Sequence, residues 1–122
     1  MAVTVISTNQ NLVASKIVQD TDADSTAQDN TTGAVGTLYS VEVVNTLNTN
    51  YVYFKMADTV TATGGTTAAD LVFACSGSTT TNYVMTEGVE FINGFSHWCV
   101  TGSAEANVTN PAAAVTVRYV VV

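Results

Sequence analysis

The chain has 122 residues, a hydrophobic fraction of 47% and a formal net charge of −7 from ten acidic and three basic residues. That length makes one domain with a single core, and that apolar content excludes wholesale disorder. The charge repels nucleic acid and anionic membranes, so neither is expected as a partner, and no apolar run approaches the ~18 residues of a membrane-spanning helix.

Residues 1–122 are therefore read as a single domain. Val and Thr dominate, both β-branched and strand-favouring, and the composition is that of an all-β protein. The first residues, Met1 to Thr8, have neither a basic region nor a long apolar stretch. They are not expected to form a secretory signal, and the initiator Met suggests that the chain begins where translation begins.

Residues 2–7 alternate loosely and predict a first strand. Asn9-Gln10-Asn11 reads as a turn, and 12–19 as a second apolar segment, either strand or short helix, whose one charge is Lys16. Residues 20–36 are rich in Asp, Thr, Ser, Asn and Gly and are expected as a polar surface loop. Residues 1–19 are then a candidate extended arm, set apart from the body and able to add a strand to a neighbour.

Residues 37–45 predict a strand, with Tyr39, Val41 and Val43 on one face and Ser40 and Glu42 on the other. Residues 46–50 read as a turn and 51–57 as the hairpin partner. There Val52, Phe54 and Met56 alternate with Tyr51, Tyr53 and Lys55, an amphipathic second face. A loop over 58–70 is centred on Gly64-Gly65. Residues 71–75 form a short strand, 76–81 a turn, and 82–86 a strand with Tyr83 and Met85 opposite Val84.

The sharpest turn signal is Asn93-Gly94, between two apolar runs in the stretch 88–101. A two-residue Asn-Gly loop favours a type I′ hairpin, because both positions tolerate φ > 0. That register pairs Glu90 with His97. It puts Val89, Phe91, Trp98 and Val100 on a core face, with Glu90, Ile92, Phe95, His97 and Cys99 opposite. Residues 102–113 form a loop carrying Pro111. The last segment, 114–122, alternates Val115, Val117, Tyr119 and Val121 with Thr116, Arg118, Val120 and Val122. An apolar terminus of that kind is tied into a sheet or is itself an interface. Eight or nine short strands with turns between them predict a β-sandwich or jelly roll.

Groups able to do chemistry are few. His97 is the only histidine, and Cys99 follows it at i+2. On a strand that spacing is about 7 Å in Cα, too far for a direct Cys–His bond. The expected state of His97 is partial exposure beside Glu90. Cys75 and Cys99 are expected as buried free thiols, with a bond between them as the alternative. No Cys-x-x-Cys or His-x-x-x-His spacing supports zinc.

Asp20, Asp22 and Asp24 have the alternate spacing that opens an EF-hand calcium loop. However, Ser25 stands at the glycine position and Thr31 at the bidentate glutamate position. A looser calcium site using Asp29 is the functional reading of this run, and a solvated acidic loop the structural one. No carboxylate pair is selected by spacing among Glu87, Glu90 and Glu105. No phosphate loop, nucleophile elbow or dinucleotide fingerprint occurs, and no cofactor is implied.

One set of residues carries a resemblance. Leu38-Tyr39 leads to Val44-Asn45, followed by Tyr51-Val52-Tyr53-Phe54-Lys55-Met56-Ala57-Asp58. After a Thr/Gly-rich loop come Gly88-Val89-Glu90-Phe91, Gly94-Phe95-Ser96, Val100-Thr101 and a final apolar strand with Tyr119. Over roughly two-thirds of its length the chain resembles small virion structural proteins of tailed bacteriophages. His97-Trp98-Cys99 and the segment up to Gln28 depart from that pattern. The resemblance implies a β-sandwich that decorates or cements a capsid. Its partners would be the major capsid protein and further copies of itself, a trimer being one arrangement. It would be made in the host cytoplasm and end on the outer surface of the virion. Ile92, Phe95, His97, Val120 and Val122 are the interface candidates. The competing reading is a tail-fibre or adhesin domain that holds a host glycan through exposed aromatics such as Tyr51 and Tyr53 beside His97.

Overall fold

The computed structural model describes residues 3–7 and 15–122. They form eight strands: β1 (Val3–Ser7), β2 (Lys16–Asp20), β3 (Gly36–Asn45), β4 (Val52–Asp58), β5 (Leu71–Cys75), β6 (Thr79–Phe91), β7 (Phe95–Val100) and β8 (Thr116–Val121). The turn read at residues 9–11 lies outside the described residues. A five-stranded sheet of order β1-β2-β8-β3-β6 faces a three-stranded sheet of order β5-β4-β7, with every pairing antiparallel. The expected all-β sandwich is the fold.

The topology is nested. β2 pairs with β8, β3 with β6, and β4 with β5. The missing pair is made by segment 23–31, which runs along β7. Its Asp24 and Gln28 carbonyls accept from the Cys99 and His97 N–H groups at 2.8 and 3.1 Å. The Gln28 and Thr31 N–H groups donate to the His97 and Phe95 carbonyls, both at 2.8 Å. Counting that segment as a strand, first pairs with last, second with seventh, third with sixth and fourth with fifth. This is the pairing of a jelly roll, with β1 added at the sheet edge.

Polar composition at 20–36 therefore does not mean an unpacked loop. The segment caps the open edge of β7, where a bare strand would expose unpaired N–H and C=O groups. Nor do the described residues of the segment 1–19, namely 3–7 and 15–19, stand off the body. β1 and β2 extend the chain's own sheet, with Ile6 opposite Ile17 and Ile17 opposite Val120.

Two expected hairpins are instead crossovers between the sheets. β3 and β4 belong to different sheets, and so do β6 and β7. The first crossover is pinned by asparagine side chains. The buried Asn45 amide donates to the Asn50 carbonyl at 2.9 Å, and Asn48 donates to Asn45 Oδ1 at 2.9 Å. The second is built around a carboxylate from another strand. Asp58 accepts the N–H groups of Ile92, Asn93 and Gly94 at 3.0, 2.7 and 3.2 Å. Burial pushes the Asp58 carboxyl up, but these three donors outweigh it and hold it below the ordinary carboxylate range. The left-handed backbone near this corner lies at Gly88, not at Asn93 or Gly94. Glu90 thus pairs with Thr37, not with His97.

The core lies between the sheets. Val18, Leu38, Val41, Val43, Val117, Tyr119 and Val121 meet Phe54, Met56, Phe73, Cys75, Phe95 and Cys99. Each large apolar side chain buried in this way contributes about 1.5–3 kcal/mol. The alternations in β4 and β8 are as read. In β3 a bulge between Leu38 and Ser40 turns Leu38 inward and leaves Tyr39 at the surface.

Trp98 and Val100 are buried too, but on the far side of the three-stranded sheet, in a smaller cluster with Ala57 and Ala62. The loops after β4 and β7 cover that side. They also cover Lys55, whose Nζ donates to the Ala104 carbonyl at 2.7 Å. The face expected to be amphipathic is therefore closed around Lys55.

Gly88 has φ +75°, and a Cβ there would sit 2.3 Å from Thr37 Cγ2 and 2.9 Å from the Tyr39 ring. Gly88→Ala is expected to cost about 1–3 kcal/mol through backbone strain and this overlap. Urea unfolding measures it, and a loss below about 0.5 kcal/mol would show that the bulge gives way freely.

Candidate functional site

The described chain holds its histidine and both cysteines inside, and the outer face of its larger sheet carries an apolar row beside a polar one. The inner arrangement joins three elements. Asp20 ends β2, His97 lies in β7 and Tyr119 in β8, all with inward side chains that are fully buried. His97 Nε2 is 2.8 Å from Asp20 Oδ2, and Nδ1 is 3.0 Å from Tyr119 Oη. Tyr119 Oη is 2.7 Å from Thr31 Oγ1, which is 3.2 Å from the Phe95 carbonyl.

Asp20 as a carboxylate can only accept, so Nε2–H donates to it. With a neutral imidazole, Thr31 donates to Tyr119 and Tyr119 donates to Nδ1. With a charged imidazole the relay reverses: Nδ1–H donates to Tyr119, Tyr119 to Thr31, and Thr31 to the Phe95 carbonyl. Every group is satisfied either way, as buried polar networks require. Burial pushes the Asp20 carboxyl up. The hydrogen bond and charge of His97, with the Asp22 N–H at 3.1 Å, outweigh burial and hold the carboxyl low. Burial drives the Tyr119 hydroxyl well above its ordinary range.

This row has the parts of an acid–base relay and no route for a substrate. Cys99 is sealed in the same core, and burial, followed by the charge of Asp20, pushes its thiol up to about 12. A thiol held protonated is a poor nucleophile. Cys75 and Cys99 are both free and buried.

The sequence-derived candidates separate accordingly. Phe95 and His97 are interior residues of the subunit, so neither can face a partner. The reason is the crossover at 92–94, which turns their face toward the opposite sheet. Ile92 is 65% exposed beside the Asp58 carboxylate, Val122 is exposed, and Val120 is half-buried on the outer sheet face. The calcium reading of Asp20, Asp22 and Asp24 is also corrected. Asp20 points into the core and is taken by His97, while Asp24 Oδ1 accepts the Thr26 N–H at 2.9 Å. Among the described residues no three His, Cys, Asp or Glu side chains are placed to hold a metal ion.

The outer face of the five-stranded sheet is where the molecule is open. Register aligns Ile6, Ile17, Val120, Ser40 and Val84 in one row across all five strands. Val84 is 72% exposed and Ile6 46%. The Val84 end of the row, from Ile17 to Val84, borders a shallow depression of about 370 Å3. The next row is polar: Gln19, Arg118, Glu42 and Asn82. Arg118 donates to Gln19 at 2.7 Å and to Glu42 at 2.6 Å. Comparison with protein-family models, curated proteins and solved structures finds no significant match.

Ile6, Ile17 and Val84 were not among the sequence candidates. Each lies on the outward parity of its own strand, which was a usable signal for Val84 in particular. Their alignment depends on which strands neighbour one another, and no local pattern gives that.

Proposed function

We propose that this chain is a non-enzymatic virion structural protein. It is read as a decoration or cement protein that seats the outer face of its five-stranded sheet on the major capsid protein of a tailed bacteriophage. The observation that carries the reading is the row Ile6, Ile17, Val120, Ser40 and Val84, apolar but for Ser40, half-buried at its centre and exposed at both ends. Apolar side chains aligned on an uncovered sheet face suit a protein–protein contact. The sealing of His97 and both cysteines supports a role without catalysis.

The acidic charge favours the outer surface of the shell, away from packaged DNA. Self-association, with a trimer as one arrangement, uses the exposed Val122 and Ile92, which follow β8 and β6 at one end of the sandwich. The fold alone does not argue for this role, since jelly rolls serve many functions. The support comes from the resemblance over residues 38–119 together with the open sheet face.

Purified virions test the proposal directly. The expected result is a fixed copy number of this chain per particle, and lower capsid stability to heat or chelator when it is missing. Particles that lack the chain, or whose stability is unchanged by its loss, would sink the reading.

A further inference from the structure

At one end of the sandwich, the crossover 46–51 and the loop 102–113 enclose a groove of about 380 Å3, within the roughly 300–1,000 Å3 of small-molecule sites. Leu47, Asn50, Tyr51, Thr101, Thr109 and Asn110 are among the residues that line it. Its two walls are fixed to each other. Asn48 donates to the Ala113 carbonyl at 3.1 Å and accepts the Ala113 N–H at 2.7 Å. The Thr101 N–H donates to the Thr109 carbonyl at 3.0 Å.

The lining has a distinctive chemistry. Tyr51 is 54% exposed and stacks on Tyr53 at 6.2 Å between ring centroids, leaving much of its ring to the groove and solvent. Asn110 Oδ1 accepts the Ser25 N–H at 2.9 Å, which orients that amide and leaves its NH2 group as a donor. The Asn50 amide and the Thr101 and Thr109 hydroxyls make no side-chain hydrogen bonds to the rest of the described chain. Amides and hydroxyls both donate and accept. No charged residue lines the groove, although the chain carries thirteen charged side chains.

We propose that this groove binds a neutral saccharide. A sugar ring offers an apolar C–H face for an aromatic ring, and hydroxyls that each need a donor and an acceptor. Tyr51 supplies the first, and the Asn and Thr groups supply the second. An anionic ligand finds no cation here, since Lys16, Lys55 and Arg118 all lie outside the lining. The site goes beyond the capsid role and stands without it, because it occupies the loop end of the sandwich and not the sheet face. It relocates the glycan reading as well. Tyr51 acts with Asn50 and Asn110, and His97 is enclosed in the core.

The test is titration of the full, isotope-labelled chain with lactose, maltotriose, cellotriose and N-acetylchitotriose, followed by amide chemical shifts. The expected result is saturable millimolar or tighter binding of at least one of these sugars, with shifts at Asn50, Tyr51, Thr109 and Asn110. Tyr51→Ala weakens that binding about tenfold or more, while Tyr51→Phe keeps it, with both variants unfolding as the parent does. Three results overturn the proposal. They are no shift with any of the four sugars, binding that Tyr51→Ala leaves unchanged, and tighter binding of sialylated or sulfated oligosaccharides than of their neutral parents.

Discussion

Asp20→Ala is expected to destabilise the protein by about 3–5 kcal/mol, the cost of removing a buried carboxylate that accepts from two donors. The loss has two parts. His97 Nε2–H is left without an acceptor inside the core, and the Asp22 N–H loses the 3.1 Å bond that turns the chain at the end of β2. For a domain of this size the unfolding midpoint falls by roughly 10–20 °C. His97→Ala carries a similar penalty, because Asp20 is then the stranded group. The double variant is expected to cost clearly less than the sum, since neither partner is left behind. Urea unfolding of all four proteins measures the cycle. Single-variant losses under about 1 kcal/mol would show that water reaches the pair.

The same carboxylate sets an acid limit. The Asp20 carboxyl is held below its ordinary value in the folded state, so its contribution is fully present above the unfolded pKa of about 3.9. It is lost as pH falls through the lower folded value. Asp58 behaves in the same direction. Stability is therefore expected to drop steeply below about pH 4, and Asp20→Ala flattens part of that slope while Asp58 retains the remainder.

How far the sequence could be read differs between elements for physical reasons. β8 and β4 were legible because one face of each packs on the core, and alternation over six or seven residues reports that directly. Sheet membership was not legible. Asn93-Gly94 has the local chemistry of a tight hairpin, yet Asp58 lies 35 residues away from Asn93 and its carboxylate binds three successive N–H groups there. That long-range contact outweighs the turn preference, sends β7 to the other sheet and reverses which of its faces is buried. The Asn45 and Asn48 amides do the same for β3 and β4.

Segment 23–31 was misread for the opposite reason. Its polarity suggested solvent, but its backbone groups complete the edge of β7, the Asn30 N–H donates to Ser96 Oγ, and the Thr31 and Asp29 side chains bond the Tyr119 hydroxyl and the Ala62 N–H. The relay is the clearest case of what local pattern cannot give. Asp20 and His97 are 77 residues apart, and only the nested pairing of β2 with β8 and of 23–31 with β7 brings them together. Asp20 stood out because it began an acidic run, and His97 because it was unique. The composition drew attention to both, and the topology joined them in a structural role.

Val84→Glu is expected to abolish docking of the five-stranded sheet while leaving the isolated protein within about 0.5 kcal/mol of the parent. Val84 is 72% exposed on β6, so a charge there is hydrated in the free protein. In a closed interface that charge lies beside Ser40, in the row that continues to Val120 and Ile17, and is stripped of water, while the nearby Arg118 is already engaged by Gln19 and Glu42. Desolvation without a partner costs several kcal/mol, enough for a loss of affinity of about 1,000-fold. Ile6→Glu, at the other end of the row, is expected to act in the same direction. Thr80→Glu lies on the outer face of the same strand but off the apolar row, opposite Val44, and serves as the control. Particle binding by the three variants, with unfolding curves for each, separates a sheet-face interface from the alternatives. If Val84→Glu and Thr80→Glu bind alike, the docking surface is elsewhere. The exposed Ile92 and Val122 at the end of the sandwich then become the positions to charge next.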